Sequence, residues 1–578
     1  MLQLSRIQSV GEAIRDATVT FKSNEALIEA ERHRENGRWT YAQLRSEAER
    51  FAALLQEQGL QPGDRCAIVM QNQSKWIFSG LGALWAGAAL VPIDYKLTAR
   101  EQLELLEHCK PRVLVTEYGE WTKLQREQQL QREQQRGAAL ERTLVLVTEA
   151  PEGAELGPAR RWEQEPAGSF RYCERSREDV ACIVYSSGTS GTPKGCMLTH
   201  GNYLAQAEIL GNLYPLAEDE RFFSVLPTNH AIDFMVGFIV PLLMGGGIVH
   251  QRTLRPQFLR ATMKKYGITH IALVPSILKN LEKRIRERLD ELPGWQRQLV
   301  DGLIRTNEIV TRKAPNHRLS STLLRPIHES LGGKLKYIFA GGTFVDRKLA
   351  EFFYELGIPV VIGYGLTEAS TVITVNDLKP FRSDTVGKAV QGVKVEIRNA
   401  NEAGVGEVWV RGPTVMKGYL DAPELTEEAI VDGWLRTGDL GSLDISGHLR
   451  LMGRAKNMIV TEGGKNIYPE DIEAVFEGLP GIEEYCVFAA DYIWPRGSMI
   501  GEQLLVVLRP EGDWPSDECL QELRTRNRRL PDFKRLSAFV VEREEFPATA
   551  SLKVKRGELA ERLRGKARDE AVRGLDEG

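Results

Sequence analysis

The stretch Tyr185-Ser-Ser-Gly-Thr-Ser-Gly-Thr-Pro-Lys-Gly195 packs glycine, hydroxyl, proline and lysine residues into one short run. Gly188 and Gly191 let backbone N–H groups come close to a ligand, and Ser186, Ser187, Thr189, Ser190 and Thr192 add hydroxyl donors. Lys194 adds a positive charge on a long arm. Ala181–Tyr185 has the β-branched, apolar texture of a strand, and Thr199 is placed to cap a helix starting near Gly201. A strand, a glycine–hydroxyl loop and a helix together make an anion cradle. The spacing differs from the nucleotide loop Gly-x-x-x-x-Gly-Lys-Ser/Thr, so this is a phosphate loop of another kind.

Around the loop the chain reads as α/β. Gln43–Gln58 carries Leu44, Ala48, Phe51, Ala52 and Leu55 at helical spacing, followed by short apolar strands at Cys66–Met70, Ala88–Ile93, Arg112–Thr116 and Leu144–Val147. That alternation is the signature of parallel sheet covered by helices. Trp76–Ile93 and Phe234–Val249 are apolar but broken by Gly, Ala and Pro, so they read as buried helix–strand pieces and not as membrane spans. Leu124–Gln135 repeats Leu-Gln-Arg-Glu-Gln-Gln in tandem and reads as a solvated helical excursion; Pro151–Pro166 reads as a linker. From Gly387 onward, alternating strands at Val393–Ile397 and Glu407–Val410 mark a β-rich subdomain. Beyond Gly453 strands are expected at Tyr485–Ala489, Leu504–Leu508 and Ala538–Val541, ahead of a charged tail, Lys566–Gly578, that is expected to fray.

The 578 residues are enough for several cores, and 75 basic against 79 acidic residues leave no footprint for nucleic acid. Seven scattered cysteines without a Cys-x-x-Cys pair fit a reducing, cytoplasmic setting better than a disulfide framework.

Further stretches combine glycine with chemistry-bearing side chains. They are Leu226-Pro-Thr-Asn-His230, Phe339-Ala-Gly-Gly342, Gly363-Tyr-Gly-Leu-Thr-Glu368 and Trp434-Leu-Arg-Thr-Gly-Asp-Leu440. Towards the C-terminus follow Gly453-Arg-Ala-Lys-Asn-Met-Ile459, Glu462-Gly-Gly-Lys-Asn466 and Pro547-Ala-Thr-Ala-Ser-Leu-Lys553. Each alone is compatible with an ordinary turn or surface loop. In this order, and together with the 185–195 loop, they resemble the AMP-forming adenylating superfamily of acyl-CoA synthetases, peptide-synthetase adenylation domains and beetle luciferases, most of all a bacterial long-chain fatty acyl-CoA ligase. The resemblance runs from about Arg38 to Leu559.

The resemblance implies a large N-terminal α/β body over 1–453, with its β-rich subdomain at about 380–453. A hinge at 454–457 and a small, mobile α+β domain over 458–578 complete it. It assigns Ser186, Ser187, Gly188, Thr189, Ser190, Gly191 and Lys194 to the ATP phosphates, and Thr189 with Glu368 to Mg²⁺. Gly341 and Gly342 would cover the adenine, with Tyr364 stacked on it between Gly363 and Gly365. Thr367 would meet the α-phosphate, Asp439 the ribose hydroxyls, and Arg454 the ribose or a phosphate. His230 would stand beside the acid carboxylate. Lys456 would be the pivot, and Gly464 would leave room for a pantetheine arm. Lys553 would bridge the carboxylate and the α-phosphate, where developing negative charge makes an ammonium useful. Leu552 stands where the family usually has glycine.

The implied chemistry is activation of a carboxylic acid by ATP and transfer to coenzyme A. The helical, basic excursion Lys279–Arg325 resembles insertions of long-chain fatty acyl-CoA synthetases, pointing to a medium- or long-chain fatty acid. Aryl acids, loading of a carrier protein, and a catalytically silent nucleotide- or lipid-binding protein are the alternatives. A cytoplasmic location, peripheral contact with the inner membrane face and a homodimer are compatible with this reading.

Overall fold

A computed structural model describes residues 3–133, 140–164, 168–186, 194–342, 345–460, 466–494, 503–548 and 554–575. The chain divides into two compact units, Met1–Val395 with Val410–Leu435, and Glu396–Trp409 with Arg436–Gly578.

Two sheets organise the first unit. In one, the strands Arg221–Ser224, His270–Leu273, Tyr337–Gly341 and Val360–Tyr364 run parallel and side by side. Gly247–Gln251, Glu25–Glu31 and Arg34–Thr40 extend this sheet at one edge, and Thr374–Val375 and Lys388–Ala389 at the other. The other sheet has the order Gly418–Tyr419, Lys194–Thr199, Val180–Ser186, Ala89–Pro92, Arg65–Val69, Val113–Glu117, Leu144–Thr148, Arg160–Arg161. The α/β class expected from the sequence is the observed one, and the strands expected at 66–70, 88–93, 112–116 and 144–147 are all present within a residue or two.

The apolar stretch that opens at Trp76 is the helix Ser74–Trp85, buried along its length. Its glycines serve close packing: a Cβ at Gly82 would stand 2.6 Å from the Ala48 carbonyl oxygen of the helix Tyr41–Glu57. That second helix begins in a reciprocal cap, with the Thr40 hydroxyl taking the Gln43 N–H and the Gln43 side chain taking the Thr40 N–H. Among the described residues no helix is long and apolar enough to cross a membrane.

Two expectations need correction. The supposed linker Pro151–Pro166 docks through Trp162, which is 4% exposed, stacks on Phe51 and Phe78, and donates its indole N–H to Ser79 Oγ at 3.0 Å. The tail as far as Leu575 is not frayed: Val572–Gly574 adds a strand to Ala538–Val541, and Leu575 is buried. In both cases a partner distant in sequence supplies burial that local polarity hides.

The second unit holds the sheet Ile482–Ala489, Leu504–Pro510, Ala538–Val541, Val572–Gly574. The helices Pro469–Val475, Asp517–Asn527 and Arg556–Arg564 bury Ile472, Leu523 and Leu559 in its cores.

Candidate active site

The loop quoted at the outset is spanned by a hairpin. Val180–Ser186 and Lys194–Thr199 pair antiparallel, with Ser186 opposite Lys194. Thr199 does cap a helix, His200–Leu213, and takes the Asn202 N–H on its hydroxyl. The helix does not follow the loop directly, as the sequence had implied. A six-residue strand intervenes, roughly 20 Å of chain at about 3.3 Å per residue, so the helix N-terminus is not the anion cradle. Ser187, Gly188, Thr189, Ser190 and Gly191 lie outside the described residues.

Ser186 is brought to Glu368, donating its hydroxyl to Oε1 at 3.2 Å. Tyr419 donates to the same oxygen at 3.2 Å. Lys194 Nζ stands 5.2 Å from the Tyr419 ring centroid, a cation–π distance. The buried Cys196 thiol points to Ser186 Oγ at 3.7 Å. Burial, and then the Glu368 charge, push that thiol well above its ordinary value, so it stays neutral. The result is a half-buried carboxylate dressed by two hydroxyls, with a lysine close by.

Glu368 is held by a tight turn after the strand Val360–Tyr364. Gly365 passes so close to the chain at Thr371 that a Cβ there would lie 1.6 Å from the Thr371 carbonyl oxygen. Ser370 and Thr371 both take positive φ, 56° and 108°, a strained backbone for residues with side chains. Three bonds hold the turn: Met416 N–H to Glu368 O at 2.9 Å, Ser370 Oγ to Thr414 O at 2.7 Å, and Thr371 Oγ1 to Ala231 O at 3.0 Å. The last ties the Glu368 turn to the His230 segment.

That segment is itself clamped from below. Asn72 Nδ2 donates to Ser224 Oγ at 3.1 Å and Leu226 O at 2.7 Å, and its Oδ1 takes the Thr228 N–H at 2.9 Å. Asp233, fully buried, accepts from Ser224 Oγ at 2.7 Å and Thr228 Oγ1 at 3.3 Å. Burial pushes its carboxyl up to about 7. His230 sits half-buried at the head of this segment, just before the π-helix Asp233–Ile239.

Gly341 and Gly363 end adjacent strands in register, and a Cβ at Gly341 would meet Gly363 O at 2.9 Å. Gly342 has φ +84° and open space where a side chain would be, which leaves a bare strand end for a flat ligand. Tyr364 is buried and Thr367 half-buried beside it.

In the second unit, Asp439 and Arg454 face each other across the hairpin Trp434–Leu443/Leu449–Arg454, with an ion pair of 2.8 Å. The Asp439 N–H is taken by Thr437 Oγ1 at 3.0 Å, and Arg454 also reaches Thr437 O at 3.2 Å. Lys456 follows in a short 3₁₀ turn; protein packed around its ammonium, and then Arg454, lower its proton affinity. Gly464 and Lys553 lie outside the described residues.

A single carboxylate beside hydroxyls is the donor set Mg²⁺ uses when substrate phosphates complete its shell. Among the described residues no cluster of three or more His, Cys, Asp or Glu side chains could hold a metal without such help.

A family model for AMP-binding enzymes matches residues 14–420. The chain belongs to the AMP-binding enzyme family. Among its relatives, a feruloyl-CoA synthase of Amycolatopsis sp is 28% identical over 540 residues, covering 91% of this chain and 94% of the relative. The 3-[(3aS,4S,7aS)-7a-methyl-1,5-dioxo-octahydro-1H-inden-4-yl]propanoyl:CoA ligase of Rhodococcus jostii (strain RHA1) is 31% identical over 464 residues, covering 78% of this chain and 81% of the relative. The fold is shared with O-succinylbenzoate coenzyme A synthetase of Bacillus subtilis, solved in complex with ATP and magnesium ion: TM-score 0.73 at 23% identity, over 95% of this chain and 98% of that one.

Tyr419, in contact with Glu368 and Lys194, is a candidate site residue that sequence reasoning missed. The pair Gly418-Tyr419 was its only local signal, since its partner Glu368 lies 51 residues upstream.

Proposed function

We propose that the protein is an AMP-forming acid–thiol ligase that activates a carboxylic acid with ATP and passes the acyl group to coenzyme A. In the first step a carboxylate oxygen attacks the α-phosphorus, the bond to the bridging oxygen breaks, and pyrophosphate leaves. In the second the thiol attacks the acyl carbon, the carbon–oxygen bond breaks, and AMP leaves. The observation that carries this reading is the meeting of Ser186, Glu368, Tyr419 and Lys194 at the two ends of the glycine–hydroxyl loop.

The roles are those that the resemblance of these motifs implies. Lys194 and the loop residues Ser186–Gly191 hold phosphate oxygens, and Glu368 with Thr189 would hold Mg²⁺, which supplies neutralisation of phosphate charge. Gly341, Gly342 and Tyr364 frame the adenine, and Thr367 and His230 orient the α-phosphate and the carboxylate. Catalysis is mostly positioning and preorganised charge. Asp439 and Arg454 serve the ribose, and 454–457 is the hinge, with Lys456 as pivot. Lys553 acts in the first step, and the Glu462–Asn466 loop with Gly464 serves the thiol in the second.

For the acid we propose a medium- or long-chain fatty acid. The wall formed by the helix His200–Leu213 and the π-helix Asp233–Ile239 below His230 is apolar, through Leu210 and Val236. An aryl acid is the second reading, favoured by the similarity to a feruloyl-CoA synthase. Pyrophosphate release from ATP and Mg²⁺, with a panel of fatty and aryl acids, with and without coenzyme A, tests both. Failure with every acid overturns the ligase reading, and turnover restricted to aryl acids overturns the fatty-acid reading.

We also propose that the helix Gly294–Thr311 rests on an anionic membrane surface. It exposes Trp295, Leu299, Ile309 and Val310 along one face, and the exposed Arg305, Arg312 and Lys313 lie on or beside it. Co-sedimentation with phosphatidylglycerol vesicles should be lost in Trp295→Asp. Equal binding by both proteins contradicts the contact.

A further inference from the structure

Below the proposed site lies a small cavity of about 20 Å³, walled by Leu210, Tyr214, Phe222, Val236, Phe339 and His270. Five of these are apolar or aromatic walls, and His270 is the exception. Its ring is 2% exposed, and Nε2 has no hydrogen-bond partner among the described residues. A polar atom buried beside a cavity in this way is costly unless something completes it.

The position of the cavity relates it to the site. The parallel strands carrying Phe222, His270 and Phe339 end at their carboxyl side in the His230 segment, in Pro275 and in Gly341–Gly342. His270 pairs with Tyr337, four residues before Gly341, so the cavity's His270 end lies roughly 13 Å below the strand ends at about 3.3 Å per residue. The π-helix that starts three residues after His230 descends along the same face and contributes Val236 to the wall. An acid held at His230 by its carboxylate would reach this cavity by extending its chain down that face.

The protonation of the ring follows from its neighbours. Nδ1 lies 2.8 Å from Thr269 Oγ1. That hydroxyl accepts the Arg221 N–H at 3.1 Å and lies 3.0 Å from Arg221 O, to which it can donate its one hydrogen; in that arrangement it is an acceptor towards the ring. Nδ1 then carries the proton and Nε2 presents a lone pair. An unpaired buried acceptor is also better tolerated than an unpaired buried N–H, which points to the same tautomer. Burial lowers the imidazole to about 3, so it is neutral in the folded protein. The volume suits one water-sized group.

We propose that this cavity is the distal end of the acid site and that His270 Nε2 selects carboxylic acids bearing a hydroxyl remote from the carboxylate. The proposal rests on the acid-activation reading above and narrows its substrate class. The hydroxyl donates to Nε2, while the chain between lies against Val236 and Phe339.

The test is acid-dependent ATP–pyrophosphate exchange by the full-length protein, with ω-hydroxy, oxo and unsubstituted acids of about eight to twelve carbons. At the length that reaches the cavity, kcat/KM for the hydroxy acid should exceed that for the unsubstituted acid by about 10- to 100-fold, the penalty for leaving one buried acceptor unpaired. His270→Phe should reverse that order. Thr269→Val frees the ring to move its proton to Nε2, and the hydroxy-over-oxo preference should fall towards unity; it serves as the second variant if His270→Phe does not fold. Exchange on unsubstituted acids with no hydroxy preference at any length overturns this proposal alone, as does a preference for oxo acids. Exchange with no acid of the panel overturns the fatty-acid reading with it.

Discussion

Gly365→Ala is the sharpest perturbation of the site. The added Cβ would stand 1.6 Å from Thr371 O, 2.5 Å from Thr371 C and 2.9 Å from Val372 Cα, all backbone atoms that cannot rotate away. Opening the shortest contact to an ordinary separation of about 3.5 Å requires a shift of roughly 2 Å. The segment that must move, 366–372, carries Glu368 and the strained Thr371, whose hydroxyl anchors it to Ala231. Overpacking of this kind costs about 1–3 kcal/mol. Displacing a positioned group by about 1 Å costs about 100-fold in rate, so kcat/KM for acid-dependent pyrophosphate release should fall by at least that factor. Thermal unfolding run beside the kinetics separates loss of fold from loss of geometry. A variant with unchanged kcat/KM and unchanged unfolding temperature would refute the claim that this turn sets the position of Glu368.

Tyr419→Phe removes one hydroxyl from the half-buried Glu368 carboxylate and leaves the cation–π ring in place. A hydrogen bond to a charged acceptor is worth about 1.5 kcal/mol at its lower range, so roughly a 10-fold loss in kcat/KM is expected, read from Mg²⁺ titrations. Asp233 is pushed by burial from its ordinary 3.8 to about 7, so in that window the folded state binds more protons than the unfolded one and stability falls as pH rises. Relative to Asp233→Asn, the wild type should lose of order 4 kcal/mol between about pH 4 and 7, at about 1.4 kcal/mol per unit; denaturant unfolding at several pH values reads the difference, and parallel curves contradict it. Lys553→Ala should abolish formation of the acyl-adenylate but spare thioester formation from supplied acyl-adenylate, and equal loss of both half-reactions contradicts its assigned role.

The sequence made legible what local chemistry demands. Glycine at 341, 342 and 365 is required by close approach or positive φ, and the helix cap at Thr199 is a spacing rule. The strand cores, with their β-branched runs, were legible within a residue or two. The features that were not legible all depend on partners far along the chain. Lys194–Thr199 became a strand because Val180–Ser186 offered a ladder, although the sequence around it read as a helix approach. Tyr419 joins Glu368 because Gly418–Tyr419 pairs with Cys196 and Met197. The unpartnered nitrogen of His270 has no sequence signature, because an isolated histidine looks alike in a core and in a cavity wall.

The most direct test of acid activation uses an acid labelled with ¹⁸O in its carboxylate, turned over with ATP, Mg²⁺ and coenzyme A, with mass spectrometry of the products. Attack of the carboxylate on the α-phosphorus, followed by thiol attack on the acyl carbon, must leave one labelled oxygen in AMP and none in pyrophosphate. Product formation with unlabelled AMP would contradict an acyl-adenylate and the ligase reading built on it.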